Sequence, residues 1–157
     1  MKVKNKMTRH IITVSPEDTL KEALDIMNDQ EIRHLPVVNG TELVGILPER
    51  DVLAQAKFND QGTLEVPDTA IGDVMTTSVE TCGPDSKIAD AATIMVEHKI
   101  DCLPVTDSKD NLVGLITSTD LLDILSGWKA PEDEAFLPFK FSVSTYEKDQ
   151  NRPRPWA

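Results

Sequence analysis

Apolar residues in the first third of the chain follow two different rhythms. Leu20, Ala23, Leu24 and Met27 keep the i, i+3, i+4, i+7 spacing of one buried helix face. The segments "HLPVV" at 34–38 and "LVGIL" at 43–47 are instead short unbroken apolar runs, which read as strands covered on both faces. Asn39-Gly40 between them is a tight-turn pair, so the runs should form a hairpin. A β-rich segment, "IITV" at 11–14, precedes the helix, and Pro16 lies in the turn that starts it, where a proline costs little. A second helix is expected from Pro48. The predicted order is β-α-β-β-α.

The same grammar returns later in the chain. Met7-Thr8 recurs as Met75-Thr76, an offset of 68, and Pro16, Ala23, Ile26-Met27, Ile32 and Leu35-Pro36-Val37 recur at that offset. After one inserted residue the offset is 69, and Leu43-Val44-Gly45 and Asp51 recur as Leu112-Val113-Gly114 and Asp120. The second set reads as "VETC" at 79–82, a helix with Ile88, Ala91, Ala92 and Met95 inward, the strands "CLPVT" and "LVGLI", and a helix from Thr117. One copy is too small to cover its own strands, so the two should pack against each other as one α+β unit. The expected division is repeat 1 at 1–56, a polar, turn-rich linker at 57–73 with a short helical entry near 69–75, repeat 2 at 74–126 and a tail at 127–157. The tail holds Trp128, Phe136, Phe139, Phe141, Tyr146 and Trp156, and aromatics bury large areas, so part of it should dock on the module or on a second subunit.

Charge narrows the function classes. The 157 residues carry a formal net charge of -11, which disfavours nucleic acid and anionic membrane as partners. A single bound nucleotide stays open, because a few local donors can outweigh the global field. No apolar run approaches the ~20 residues of a membrane span, and "MKVKNKMTRH" leads into no apolar signal core. Cys82 and Cys102 are therefore read as reduced thiols of a cytoplasmic protein, with Cys102 an inert buried thiol among apolar neighbours. His10, His34 and His98 have no metal-ligand spacing, and no nucleophile–base pair or P-loop is found, so neither a metal site nor an enzyme is expected.

The strongest candidate chemistry ends the run "LVGLITSTD" at 112–120. A carboxylate can accept from two adjacent ribose hydroxyls in charge-assisted bonds, and Thr117 adds a hydroxyl. The same Thr-x-x-Asp before an apolar helix is also a capping box. Spacing alone favours the cap, and the two roles are compatible.

The doubled pattern, "IRHLPVVNGTELVGILPERD" and "IDCLPVTDSKDNLVGLITSTD", each preceded by a "MT...P....A...M" half, resembles a tandem pair of CBS domains, a Bateman module. The resemblance spans residues 3–126 and is similar to stand-alone bacterial CBS pairs, including the CBS part of acetoin-utilisation proteins. It implies two pseudo-symmetric β-α-β-β-α repeats packed sheet to sheet, forming a non-catalytic regulatory module. AMP, ADP, ATP or S-adenosylmethionine would bind as a regulatory ligand, with no other cofactor, in clefts between the repeats. It also implies a homodimer and signalling to an effector protein. Thr117 and Asp120 then become a ribose grip. Asp51, preceded by Arg50, would be a weaker one, because Pro48 stands where the hydroxyl should be. Thr77, Val79, Ile100 and Pro104 in repeat 2, with Arg9, Ile11, Ile32 and Pro36 in repeat 1, match positions that flank the adenine. Arg33 and His34 match positions where basic residues reach phosphates, whereas Asp101 and Cys102 at the equivalent places supply no cation. Gly45 and Gly114 interrupt strands, which marks close approach by a ligand or by another part of the protein; the resemblance favours the ligand. The alternative function is a ligand-free dimerisation scaffold that recruits a partner through its tail.

Overall fold

Both predicted helix–hairpin–helix sets form in the computed structural model, which describes residues 1–127. The aromatic tail falls outside the described residues. In the first set, α1 (Leu20–Gln30) opens on a reciprocal cap: Glu22 N–H donates to Thr19 Oγ1 at 3.2 Å, and Thr19 N–H donates to Glu22 Oε2 at 2.8 Å. Then come the antiparallel strands β1 (His34–Asn39) and β2 (Glu42–Pro48), and the short α2 (Glu49–Ala54). The linker forms a two-residue hairpin, β3 (Lys57–Phe58) with β4 (Leu64–Glu65), and its helical entry is a 3₁₀ turn at Ile71–Asp73. The second set is α3 (Ile88–His98), β5 (Cys102–Thr106), β6 (Leu112–Thr117) and α4 (Ser118–Ser126).

The repeats match in detail. α1 and α3 each end on a residue in the left-handed region, Glu31 at φ 55° and Lys99 at φ 54°. The next amides, of Ile32 and Ile100, return to the carbonyls of Met27 and Met95 at 3.0 Å, which stops each helix and aims the chain into its strand. Both hairpins slip register at the same place. Val37 faces Gly45 while Val38 faces Leu43, so Val44 bulges out; Val105 faces Gly114 while Thr106 faces Leu112, so Val113 does the same.

The strands expected at 11–14 and 79–82 shrink to one residue each. Val14 bridges Val37 and Cys82 bridges Val105, both in parallel. Pairing cannot run on because each segment turns at once into a proline-containing bend. Ser15 N–H is held by Asp18 Oδ2 at 2.7 Å, Gly83 N–H by Ser86 Oγ at 3.2 Å, and Pro16 and Pro84 have no amide hydrogen to give.

The two cores are not built from contiguous halves. Ile71 is fully buried with α1, α2, β1 and β2, and Val74 and Met75 pack beside it. Val3 and Met7, at the start of the chain, are buried with Ala91, Met95, Leu103 and Ile116 instead. Backbone pairing follows the exchange. Thr8 bridges Leu115 on the open edge of β6, and Thr76 bridges Ile46 on the open edge of β2. Each lead-in thereby covers the sheet edge of the other repeat. Lys2 and Lys4 reinforce the first exchange by reaching Asp85 Oδ1 at 2.8 and 2.9 Å, which holds that exposed carboxyl down at about 2. The two sheets meet at the starts of β2 and β6. There Leu43 N–H donates to Asp110 O at 3.1 Å and Leu112 N–H to Thr41 O at 2.9 Å.

The second repeat is less enclosed. No residue of α4 is buried, and Val96, Leu122 and Leu125 are 77%, 62% and 82% exposed.

Candidate functional site

The cap and the candidate grip are the same pair of residues. Thr117 precedes α4 in extended conformation, and its N–H and Oγ1–H both donate to Asp120 Oδ2, at 2.7 and 2.9 Å. Asp120 N–H returns a longer bond to Thr117 Oγ1 at 3.4 Å. The capping box is thus formed, and it uses only Oδ2. Among the described residues no donor reaches Oδ1, and the side chain is half-buried, so one carboxylate oxygen stays available in a fixed orientation.

Asp51, in the first turn of α2, has no such anchor. Pro48 offers no side-chain cap, and the nearest cation, Arg50 Nε, lies 3.9 Å from Asp51 Oδ1 on a side chain that is itself 78% exposed.

Each helix start is stapled to the loop that opens the preceding hairpin. Glu49 N–H donates to Arg33 O at 2.8 Å, and Ser118 N–H donates to Asp101 O at 2.9 Å. The same loops touch across the pseudo-two-fold: His34 Nε2 lies 3.1 Å from Asp101 Oδ1. Burial pushes the His34 imidazole below its ordinary value of 6.5; Asp101 opposes that, and Arg50 and Arg33 add to it. The contact is therefore between a carboxylate and an imidazole that burial holds toward its neutral form. Cys102, beside this contact, is buried and pushed up to about 12 by burial and by Asp101 and Asp120, so it is an inert thiol.

The remaining candidates sort across the repeats. Arg9 and Ile11 follow Thr8, whose antiparallel bridge to Leu115 sends the chain toward the start of β6 and away from Asp120. With Leu112 and Val38 they line a small open groove with room for about 20 Å³. That groove lies at the beginning of β6 and does not include Asp120, which follows its end. Thr77 is exposed and follows Thr76, whose antiparallel bridge to Ile46 sends the chain toward the start of β2 and away from Asp51; Val79 is half-buried. Ile32 and Ile100 are half-buried against their own cores. Pro36 and Pro104 are buried, and their carbonyls accept from Val14 and Cys82 N–H at 3.1 and 3.2 Å.

The two strand glycines have a different explanation from the one expected. A Cβ at Gly45 would lie 2.5 Å from Met75 Sδ and 3.1 Å from Thr76 O; one at Gly114 would lie 3.0 Å from Met7 Cγ. The space belongs to the exchanged methionines and not to a ligand. The recurrence of Met-Thr and of Gly at constant offsets was the available signal, but nothing in it told which Met meets which Gly. Nor did any pattern mark Asp101 as the partner of His34.

The CBS domain family model matches residues 3–57 and 71–127. The chain belongs to the CBS-domain family. The Bacillus subtilis CBS domain-containing protein YhcV is 33% identical over 76% of this CBS pair and 81% of its own length. The inosine-5′-monophosphate dehydrogenase of Korarchaeum cryptofilum is 41% identical over 72% of this chain, which spans only 22% of that enzyme. Among solved structures, a Vibrio cholerae protein provisionally assigned to acetoin utilization, AcuB, superposes with a TM-score of 0.69 at 36% identity, covering 81% of this chain and 91% of that one. The CBS pair of MJ0100, solved with 5′-methylthioadenosine and S-adenosyl-L-methionine, scores 0.69 at 29% identity over 82% and 98%. CBSX2, solved with AMP, scores 0.70 at 26% identity over 80% and 96%. In this CBS pair no helix among the described residues is long and apolar enough to cross a membrane.

Proposed function

We propose that this CBS pair is a non-catalytic cytoplasmic module that binds an adenosyl ligand between its repeats and signals to a partner protein. The observation that carries the reading is Asp120. Its Oδ2 is fixed by Thr117, and no donor among the described residues reaches its Oδ1, which leaves an anionic acceptor at the start of a helix for a ribose hydroxyl. The adenosyl ligands of MJ0100 and CBSX2 support the same class. Calorimetry of the intact protein against AMP, ADP, ATP, S-adenosylmethionine and 5′-methylthioadenosine tests it. Binding of at least one is expected, and no heat at millimolar concentrations of all five would overturn it.

The dimer belongs to this reading. The exposed Val96, Leu122 and Leu125 on α3 and α4 support a homodimer formed through these helices. Light scattering on the purified protein should give twice the chain mass. The alternative, a scaffold without ligand, draws support from Pro48 and the unanchored Asp51, and predicts a dimer that binds none of the five compounds.

A further inference from the structure

We propose that the acidic run Glu132-Asp133-Glu134 of the tail docks on the basic lead-in at the start of the same chain, against Lys6 and Arg9. The contact is independent of any adenosyl ligand. Residues 1–10 carry Lys2, Lys4, Lys6 and Arg9 and no acidic residue, in a chain whose formal net charge is -11. All four side chains are exposed, but the backbone that displays them is fixed. Val3 and Met7 are buried in the second core. Val3 N–H and Lys4 N–H donate to the carbonyls of Ser86 and Pro84, both at 2.9 Å, and Lys6 and Met7 N–H donate to Val3 O at 2.9 and 2.8 Å. Arg9 Nη2 folds back to Lys4 O at 3.0 Å, which brings its guanidinium over the same turn. The patch already holds one carboxylate, since Lys2 and Lys4 share Asp85 Oδ1. Among the described residues, Lys6 and Arg9 have no ionic partner.

Charge and reach select the occupant. Elsewhere basic residues stand singly among acidic ones: Lys21 between Asp18 and Glu22, Arg50 between Glu49 and Asp51, Lys109 between Asp107 and Asp110. A run of three carboxylates is repelled by such surroundings and attracted by the lead-in. The described residues end at Gly127, on the same side of the fold. Leu121 of α4 packs against the core that buries Val3 and Met7. Gly127 lies six residues further on, about 9 Å along the helix. Glu132 to Glu134 follow five to seven residues after Gly127, a reach of about 16–25 Å for an extended chain. That is enough to return from the end of α4 to Lys6. Docking there would brace the less enclosed repeat, in which no residue of α4 is buried.

Paramagnetic broadening in NMR spectra of the full-length chain tests the contact. Cys82 and Cys102 are buried, so a nitroxide attached to Ala135→Cys marks the tail alone. We expect the amides of Lys4, Lys6 and Arg9 to lose more than half their intensity. They should recover it in about 1 M salt, where the screening length falls to ~3 Å. Lys6→Glu combined with Arg9→Gln should restore it too, while unchanged amide shifts in both hairpins show that the fold is kept. A second sample mixes isotope-labelled chains without nitroxide and unlabelled chains that carry it. Equal broadening in that mixture would place the tail on a second copy and overturn the same-chain contact. No broadening at the lead-in, broadening centred on Val96, Leu122 and Leu125 instead, or broadening that survives both salt and the charge changes would overturn it as well.

Discussion

Replacing Asp120 with alanine should cost the protein twice, in two separable currencies. The first loss is stability. Oδ2 accepts from both the N–H and the Oγ1–H of Thr117. An N-terminal cap of this kind is worth ~1 kcal/mol, and a carboxylate in the first turn of a helix adds ~0.3–1 kcal/mol through the helix dipole. Because the side chain is only half-buried, the sum is expected near ~1–2 kcal/mol. The second loss is affinity. A bond from ribose to a charged oxygen contributes ~1.5–3 kcal/mol, so the dissociation constant should rise roughly 10- to 150-fold. Asp51→Ala is the control, because α2 has no side-chain cap to lose. Its stability should stay within ~0.5 kcal/mol of wild type. Urea unfolding followed by circular dichroism measures the first quantity, and calorimetry against S-adenosylmethionine measures the second. An Asp120→Ala protein that loses stability but keeps its affinity would reduce the residue to a cap and refute the reasoning.

Three further outcomes are expected. Gly45→Ala should destabilise by ~2 kcal/mol and more than Gly114→Ala, because the new methyl meets the Thr76 carbonyl as well as a methionine, whereas Gly114 faces side-chain atoms of Met7 alone; equal and negligible losses in urea titrations would argue against methionine packing. Val3→Ala should cost ~2 kcal/mol and speed hydrogen exchange in β5 and β6 before β1 and β2, since Val3 is fully buried in the second core. His34 should titrate below 6.5 by NMR, because burial outweighs the help of Asp101. The folded protein then binds fewer protons than the unfolded chain below that value, so this stability is complete above pH 6.5 and is lost as pH falls through the His34 titration. Asp101→Asn should lower the His34 value further, and a His34 that titrates above 6.5 would contradict the stated balance.

The helices and hairpins were legible because their signals are local. Leu20, Ala23 and Met27 lie on one face whatever the rest of the chain does, and Asn39-Gly40 can hardly be anything but a turn. The Thr117–Asp120 cap was legible for the same reason. The outer sheet edges were not, because each is completed by one residue from far away in sequence. Thr8 on β6 and Thr76 on β2 carry no alternation of their own. The glycines were misassigned through that gap: a residue without a side chain announces that something comes close, and only the fold says that it is Met7 or Met75. Likewise, the sequence correctly denied Asp101 a cationic role without revealing that it faces His34.

The exchange of lead-ins bears on how such a module could report a ligand. Had each repeat completed its own sheet and core, a ligand between them would bridge two self-sufficient bodies and alter only their spacing. Here the first lead-in bridges β6 at Leu115, and the second bridges β2 at Ile46. A ligand that met a hairpin and the lead-in on its outer edge would therefore touch side chains that belong, in sequence, to both repeats. Such a ligand would pull on a segment whose other end continues into the opposite core, where Val14 and Leu20 are buried. A ligand shifts an equilibrium only by the difference in its affinity for two arrangements, and this connectivity gives every contact in a cleft a stake in the relative placement of the repeats. α3 and α4, with their exposed apolar residues, flank the hairpin that receives the first lead-in, so under the proposed dimer a change in that placement would reach the helices that carry Val96, Leu122 and Leu125.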